Sequence, residues 1–379
     1  MPTVFINIAD LLVSFTSDSE KLLSEIRSKY SAYLLPNREK NQPDLQIELR
    51  EGNNSIKHTK SKLVITCRSI DEYLLWFNDA IRAYLIASFH TYNGLVLHAS
   101  SVVINQRAFI FLGKENTGKS TKRMQLSQFP SLGDDVALVK MENNEPFLYG
   151  SPFYQKTKIN YPNEKFESPF FCFLEQSKLN MIVSVENPLS RLSSCVFLVS
   201  QNVYKNAFNL IVTFAANNKY FLYKNSLDSD PSPLLVSLVD ICQRKQFSLK
   251  SINQLITDKY EVGLTAFGSI MISSLKHLSL INGLSWKFEC GNDLSVVAVA
   301  EMILYKDNWS SPHKLQVDYF RHNQSKINFI DSPLILKEIS NNSYEILDGN
   351  HRAIAVYLQY IKNGVDSAIP FLLVNLTER

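Results

Sequence analysis

Apolar positions in the first ninety residues switch between two periods. Residues 3–8 alternate as a strand does, with Val4, Ile6 and Ile8 on one side. Residues 19–35 predict an amphipathic helix whose face includes Leu22, Leu23, Ile26, Tyr30 and Leu34. Residues 44–49 return to period two, and residues 62–66 are expected to pair with them across the polar turn at Gly52-Asn53-Asn54. A longer helix is predicted from about Ser69 to His90. Two apolar runs, 95–104 and 107–112, are joined by Asn105-Gln106, the spacing of a hairpin. Residues 136–141 and 146–149 flank a second turn at Asn143-Asn144. Further strands are expected around 194–199 and 208–213. A helix follows from Pro231 to about Arg244, with proline in its favoured first turn.

Composition changes little beyond this point, so the domain boundary is placed broadly between 245 and 262. Two helices are predicted near 270–281 and 294–305. A compact unit closes the chain: strand 334–339, a turn at Asn341-Asn342, strand 344–347, and Asp348-Gly349-Asn350-His351-Arg352 opening a helix. The pattern gives an α/β (α+β) chain in three parts. These are an α+β subdomain over 1–90, a nucleotide-binding domain over 91–250 and a C-terminal domain over 260–379. No internal repeat or low-complexity segment is present.

Bulk properties narrow the classes. A chain of 379 residues with 45% hydrophobic content has ample material for a core. A formal charge of +3 is too slight to argue for nucleic acid or an anionic membrane as the partner. No apolar run is long enough to span a bilayer, and the N-terminus lacks the basic segment of a signal peptide. The five cysteines, Cys67, Cys172, Cys195, Cys242 and Cys290, are scattered without a C-x-x-C pair. They read as free thiols in a reducing cytoplasm.

The chemistry begins at Gly113-Lys114-Glu115-Asn116-Thr117-Gly118-Lys119-Ser120, a G-x-x-x-x-G-K-[S/T] phosphate-binding pattern between a predicted strand and a predicted helix. Gly113, Asn116, Thr117, Gly118, Lys119, Ser120 and Thr121 are the candidate phosphate contacts. Lys119 is expected to reach the β- and γ-phosphates of ATP, and the Ser120 hydroxyl to bind Mg²⁺. Asp134 and Asp135 follow Gly133 at the edge of the strand over 136–141. Phosphoryl transfer to a hydroxyl uses one carboxylate on Mg²⁺ and another to accept the hydroxyl proton. Adjacent aspartates facing opposite ways are able to divide those roles. His98 lies in an apolar strand before the loop. Lys156 and Lys158 read as surface lysines, with a phosphate contact as the other reading.

His98, the loop and the Asp134-Asp135 pair together resemble the HPr kinase-like family, P-loop kinases related in fold to phosphoenolpyruvate carboxykinase. Leu97-His98-Ala99-Ser100 followed by Leu132-Gly133-Asp134-Asp135-Val136 is most similar to the HPr kinase-related branch. The resemblance is strongest over about 94–141 and covers 1 to about 245 in layout. It implies Asp134 as the catalytic base (or acid in reverse), His98 as the neighbour tuning Asp134, Lys119 as a catalytic cation, and Asp135 with Ser120 as the metal ligands. It also leaves a homo-oligomer as an expectation.

In the second motif, glycine permits a tight turn, and the following helix start aims free N–H groups back at it. His351 and Arg352 then stand where an anion would bind, and Asp348 is placed to orient His351 or hold a metal. Pairing of Asp348 with Arg352 in a purely structural turn is the plain alternative. Residues 327–376 resemble the ParB/sulfiredoxin-like fold, whose members carry Asp-Gly-x-His-Arg. Among them are free-serine kinases that use the motif for nucleotide phosphates. Asn350 occupies the position of the sulfiredoxin cysteine, so redox chemistry is not implied.

The expectation is therefore a cytoplasmic, ATP- and Mg²⁺-dependent kinase acting on a hydroxyl of a peptide, protein or small metabolite. Two alternatives stand beside it. One is a nucleotide-sensing regulatory protein whose C-terminal domain binds a phosphorylated or nucleic-acid ligand. The other is free-serine-kinase-like chemistry in the C-terminal domain.

Overall fold

Alternating side chains in Thr3–Ile8 (β1) bury Val4, Ile6 and Ile8 on one face. The computed structural model describes residues 1–36, 42–53, 55–59, 61–153, 161–197, 201–225, 230–242, 260–280, 294–305, 312–322, 333–340 and 343–378. Lys156, Lys158 and Cys290 lie outside them. The chain forms two compact units, one of 1–173 with 187–219 and one of 174–186 with 220–379.

In the first unit, β1 pairs antiparallel with Leu11–Ser17 (β2). The helix Glu20–Lys29 (α1) buries Leu22, Leu23 and Ile26. It stops short of the predicted Leu35: the chain tightens into a 3₁₀ turn over Ser31–Tyr33, which buries Tyr33 and leaves Leu34 exposed. Leu45–Glu51 (β3), Ser55–His58 (β4) and Lys62–Cys67 (β5) complete a sheet in the order β1-β2-β3-β5-β4. The pairing expected between β3 and β5 is present and runs parallel, with β4 the antiparallel partner of β5. Because β4 lies between them in the chain and runs antiparallel to β5, β5 returns in the direction of β3. Helix Ile70–Ser88 (α2) contributes Ile81 and Leu85 to the core shared with α1 and β1–β3.

The second sheet of this unit is built on Gly94–Ile104 (β6). Arg107–Leu112 (β7) pairs antiparallel with it across Asn105 and Gln106, both at positive φ. Such left-handed pairs suit the twist of a two-residue hairpin. Helix Lys119–Gln125 (α3) leads to Ser131–Gly133 (β8) and Val136–Glu142 (β9), both antiparallel partners of β6. Asn143 and Asn144, again at positive φ, join β9 to Glu145–Tyr149 (β10). Lys165–Glu167 (β11) pairs with β10, and Phe170–Gln176 (β12) starts parallel to β7.

Leu189–Ser193 (α4) and Gln201–Asn217 (α5) finish the first unit. The strand predicted over 208–213 is corrected, because those residues lie inside α5. Ala207, Ile211 and Phe214 are buried at helical spacing, while Phe208 and Val212 are each 39% exposed. A short apolar run does not by itself distinguish the two periods. Of the strand expected over 194–199, residues 195–197 run beside β6 with one bridge, Leu97 to Val196.

The second unit contains Met181–Ser184 (β13), Tyr220–Asn225 (β14), helix Ser232–Cys242 (α6) and the long strand Tyr260–Met271 (β15). The helix predicted near 270–281 is also corrected. Pairing of β15 with β13 on one side and a later strand on the other carries extended backbone to Met271. A 3₁₀ helix over Ile272–His277 and the two-residue strand Ser279–Leu280 (β16) follow. Helices Val296–Tyr305 (α7) and Pro312–His322 (α8) precede Leu334–Ser340 (β17), Ser343–Asp348 (β18), helix Asn350–Asn363 (α9) and Ala368–Glu378 (β19). Strand order is β14-β13-β15-β19-β17-β18-β16. The core of this unit packs α9 and α7 on that sheet, with Ile354, Leu358, Val299 and Phe371 fully buried.

No helix among the described residues is long and apolar enough to cross a membrane. Among the described residues, Cys67, Cys172, Cys195 and Cys242 form no disulfide.

Candidate nucleotide site

Strand β6 brings the candidate residues together. On one side, Ala99 pairs with Leu112, so the phosphate loop starts beside His98. On its other side, His98 pairs with Val136 and Ser101 with Gly133. That register leaves Asp134 and Asp135 opposite Ala99 and Ser100, in the break between β8 and β9. The Ala99 N–H donates to the Asp135 carbonyl (3.2 Å), and the Ser100 hydroxyl to the Lys119 carbonyl (3.0 Å). One strand thus ties down the loop, the start of α3 and the acidic pair.

The loop needs left-handed backbone at Asn116 (φ 62°) and Gly118 (φ 95°) before α3 can start. Glycine takes that conformation without a Cβ penalty, and asparagine at a modest one. The Thr117 hydroxyl donates to the Lys114 carbonyl at 2.9 Å. Lys119 Nζ curls over the loop and donates to the carbonyls of Gly113 (2.9 Å) and Lys114 (2.8 Å). Burial pulls the Lys119 ammonium below its usual value, against the opposing attraction of Asp135, Glu115 and Asp134.

The two aspartates diverge. Asp134 is fully buried. Its Oδ1 accepts the Ser120 hydroxyl at 2.9 Å, and its Oδ2 stands 3.5 Å from Arg123 Nε. Asp135, held at φ 78°, turns the other way. Its Oδ1 lies 3.1 Å from His98 Nε2 and its Oδ2 3.2 Å from Arg82 Nη2. Burial alone raises an aspartate, but the His98 hydrogen bond and the Arg82 charge outweigh it and hold Asp135 below its ordinary value. The pairing expected from sequence, His98 with Asp134, is therefore corrected: His98 contacts Asp135. Asp134, expected as the base, accepts the hydroxyl of the Mg²⁺ candidate Ser120, and Asp135, expected as the metal ligand, lies between His98 and Arg82. The left-handed turn at Asp135 breaks the simple strand alternation from which the roles were divided.

Ser120 and Asp134 offer a hydroxyl and a carboxylate oxygen, hard donors of the kind Mg²⁺ takes. Among the described residues Asp134 Oδ2 accepts no hydrogen bond. This donor set fits the ion.

Sequence reasoning missed Arg82, Arg123 and Phe197. The Arg82 guanidinium lies 4.9 Å from the centre of the Phe197 ring, and His98 packs on the same ring at 5.3 Å. Phe197 is delivered by the stretch beside β6, where Cys195 accepts the His98 N–H at 2.7 Å and Phe197 donates to Val96 at 2.9 Å. Arg123 is a basic residue three positions after the loop motif, which was a usable signal. Arg82 and Phe197 carried none.

The second motif forms the predicted strand, turn and helix. Gly349 (φ 92°) separates β18 from α9, and the Ala353 N–H bonds its carbonyl at 2.8 Å. A Cβ on Gly349 would lie 2.6 Å from Leu334 Cδ2 and 3.2 Å from Arg352 Nη2. Arg352 therefore folds back over the turn. Asn350 is buried, and its Oδ1 has no hydrogen-bond partner among the described residues. The structure describes nothing of the Asp348 side chain.

Comparisons with known proteins add little. No protein-family model and no curated protein sequence matches the chain. Among solved structures it is similar to the Hpr(Ser) kinase/phosphatase from Coxiella burnetii, at 16% identity and a TM-score of 0.26, over 39% of this chain and 95% of that one. At that score the likeness decides neither fold nor activity. The ParB/sulfiredoxin-like resemblance of 327–376 rests on its residues alone.

Proposed function

We propose that the chain is a Mg²⁺- and ATP-dependent phosphotransferase that acts on a hydroxyl of a peptide, protein or small metabolite. The observation that carries this reading is the separation of the two carboxylates: Asp134 against Ser120, Asp135 between His98 and Arg82. A protein that only senses nucleotide needs the first arrangement and has no use for the second.

Ser120 and Asp134 would hold Mg²⁺, which when bound would supply positive charge against the charge developing on the transferred phosphate. Lys119 leaves the Gly113 and Lys114 carbonyls for the β- and γ-phosphates, to which its charge is better matched. Asp135 accepts the acceptor's hydroxyl proton as that oxygen bonds to the γ-phosphorus. The bond from the γ-phosphorus to its bridging oxygen breaks, and the electron pair leaves with ADP. His98 and Arg82 keep the Asp135 carboxylate aimed and ionised, so most of the gain comes from positioning and electrostatics.

The test is transfer of label from γ-³²P-ATP with Mg²⁺ to serine, threonine and a cell extract, wild type beside Lys119→Ala. Label on an acceptor, absent in the variant, supports the proposal. ATP binding without transfer supports the regulatory alternative. Turnover that survives Lys119→Ala but not Arg352→Ala moves the chemistry to the Asp348–Arg352 turn.

A further inference from the structure

Asp135 is clamped by two residues from outside the phosphate-loop motif. Arg82 comes from α2, and Phe197 from the segment bridged to β6. A guanidinium resting against an aromatic ring is restrained in place, so it loses little freedom when its N–H groups bind a ligand. One nitrogen, Nη2, reaches Asp135. An arginine has five N–H donors, and among the described residues Asp135 and the Phe197 ring are the partners found for this one. Its side chain is 29% exposed, so solvent solutes reach it. A counter-ion for Asp135 alone needs only a point charge, which His98 and Lys119 already approach. A ring-supported fork with donors to spare is suited to gripping a second planar or tetrahedral anion.

Resting on the phosphotransfer reading above, we propose that Arg82 docks the acceptor, and that the acceptor carries a carboxylate or phosphate beside the hydroxyl that is phosphorylated. The incoming anion binds the N–H donors that Arg82 does not direct at Asp135, which brings the neighbouring hydroxyl beside the Asp135 carboxylate. The site then selects against neutral alcohols, because they leave a partly buried guanidinium without its second partner.

Glycerol, D-glycerate and glycerol 3-phosphate are neutral, carboxylate and phosphate versions of one small alcohol. With Mg²⁺ and saturating ADP filling the loop, modification of Arg82 by phenylglyoxal is followed by peptide mass spectrometry. At least one anion is expected to slow modification by about 10-fold or more, with glycerol giving no protection. The protecting compound distinguishes carboxylate from phosphate. Equal rates with all three, or an Arg82 that the reagent never reaches, overturn the proposal. Transfer of γ-³²P label is assayed on the same samples. Lys119-dependent transfer without Arg82 protection keeps the phosphotransferase and removes the acceptor assignment. Protection without any Lys119-dependent transfer keeps the anion site and removes the phosphotransferase.

Arg82→Lys, checked for folding by circular dichroism, retains charge and loses the fork. It is expected to raise KM for an anionic acceptor about 10-fold and to leave KM for a neutral alcohol unchanged, beside any fall in kcat that both share through Asp135. Equal changes in KM for charged and neutral acceptors overturn the docking role.

Discussion

Two glycines open helices in nearly the same backbone conformation: Gly118 at φ 95°, ψ 15° and Gly349 at φ 92°, ψ 11°. Each follows a strand, and neither helix has a side-chain cap. Their surroundings differ. Before Gly118 the chain makes a loop of five residues after β7, closed by Lys119 on two carbonyls and backed by Ser120 on Asp134. Before Gly349 there is no loop, since β18 runs straight to Asp348. Leu334 presses on that turn and Arg352 lies across it. A left-handed glycine between strand and helix makes a tight corner, and only converging polar groups make the corner a chemical site.

The sharpest way to break this contrast is to remove one cation from each corner. Lys119→Ala should lower phosphoryl transfer by about 10²- to 10³-fold, while Arg352→Ala should stay within about two-fold in the same ³²P assay. The reverse pattern reassigns the active site.

Within the first corner, the two aspartates should separate. Asp135→Asn is expected to reduce kcat by about 10²-fold or more with nucleotide affinity retained. Asp134→Asn should chiefly raise the Mg²⁺ concentration needed for half-maximal rate, by about 10-fold or more. A Mg²⁺ titration of both variants decides, and identical behaviour would falsify the division of roles.

Alanine at either glycine forces a side chain into left-handed backbone. A loss of about 1–2 kcal/mol is expected at each, read from urea unfolding. Only Gly118→Ala should also weaken nucleotide binding. If Gly349→Ala does so too, the corners are functionally linked.

The smallest effect is expected at Asn350. Its amide oxygen has no hydrogen bond to lose among the described residues, so Asn350→Ala should shift stability by less than about 1 kcal/mol. A larger loss means that the amide is held by a partner and the second corner is more specialised than its geometry indicates.

Local features of the chain were legible as letters. The hairpins at Asn105-Gln106 and Asn143-Asn144 follow from asparagine, which tolerates positive φ, although Gln106 takes it as well. The phosphate loop and the Gly349 corner follow from glycine at one required position. Failures came where distant partners decide. Residues 208–213 are helical because packing selects a face of period 3.6, and 270–271 are extended because β13 and β19 flank them. The pairing of β3 with β5 was expected, and its parallel direction is set by the short β4 that lies between them in the chain.

The site divides along the same line. Sequence by itself determined the loop, Lys119, Ser120, His98 and the presence of two adjacent carboxylates, because their chemistry is encoded in short spacings. Which carboxylate faces Ser120 and which faces His98 was decided by the register of β6 against β8 and β9 and by the left-handed turn at Asp135. Arg82 and Phe197 join only in the folded chain. Their contact with Asp135 and His98 depends on non-local packing of α2 and of residues 195–197, a geometry that no residue type or spacing along the chain encodes.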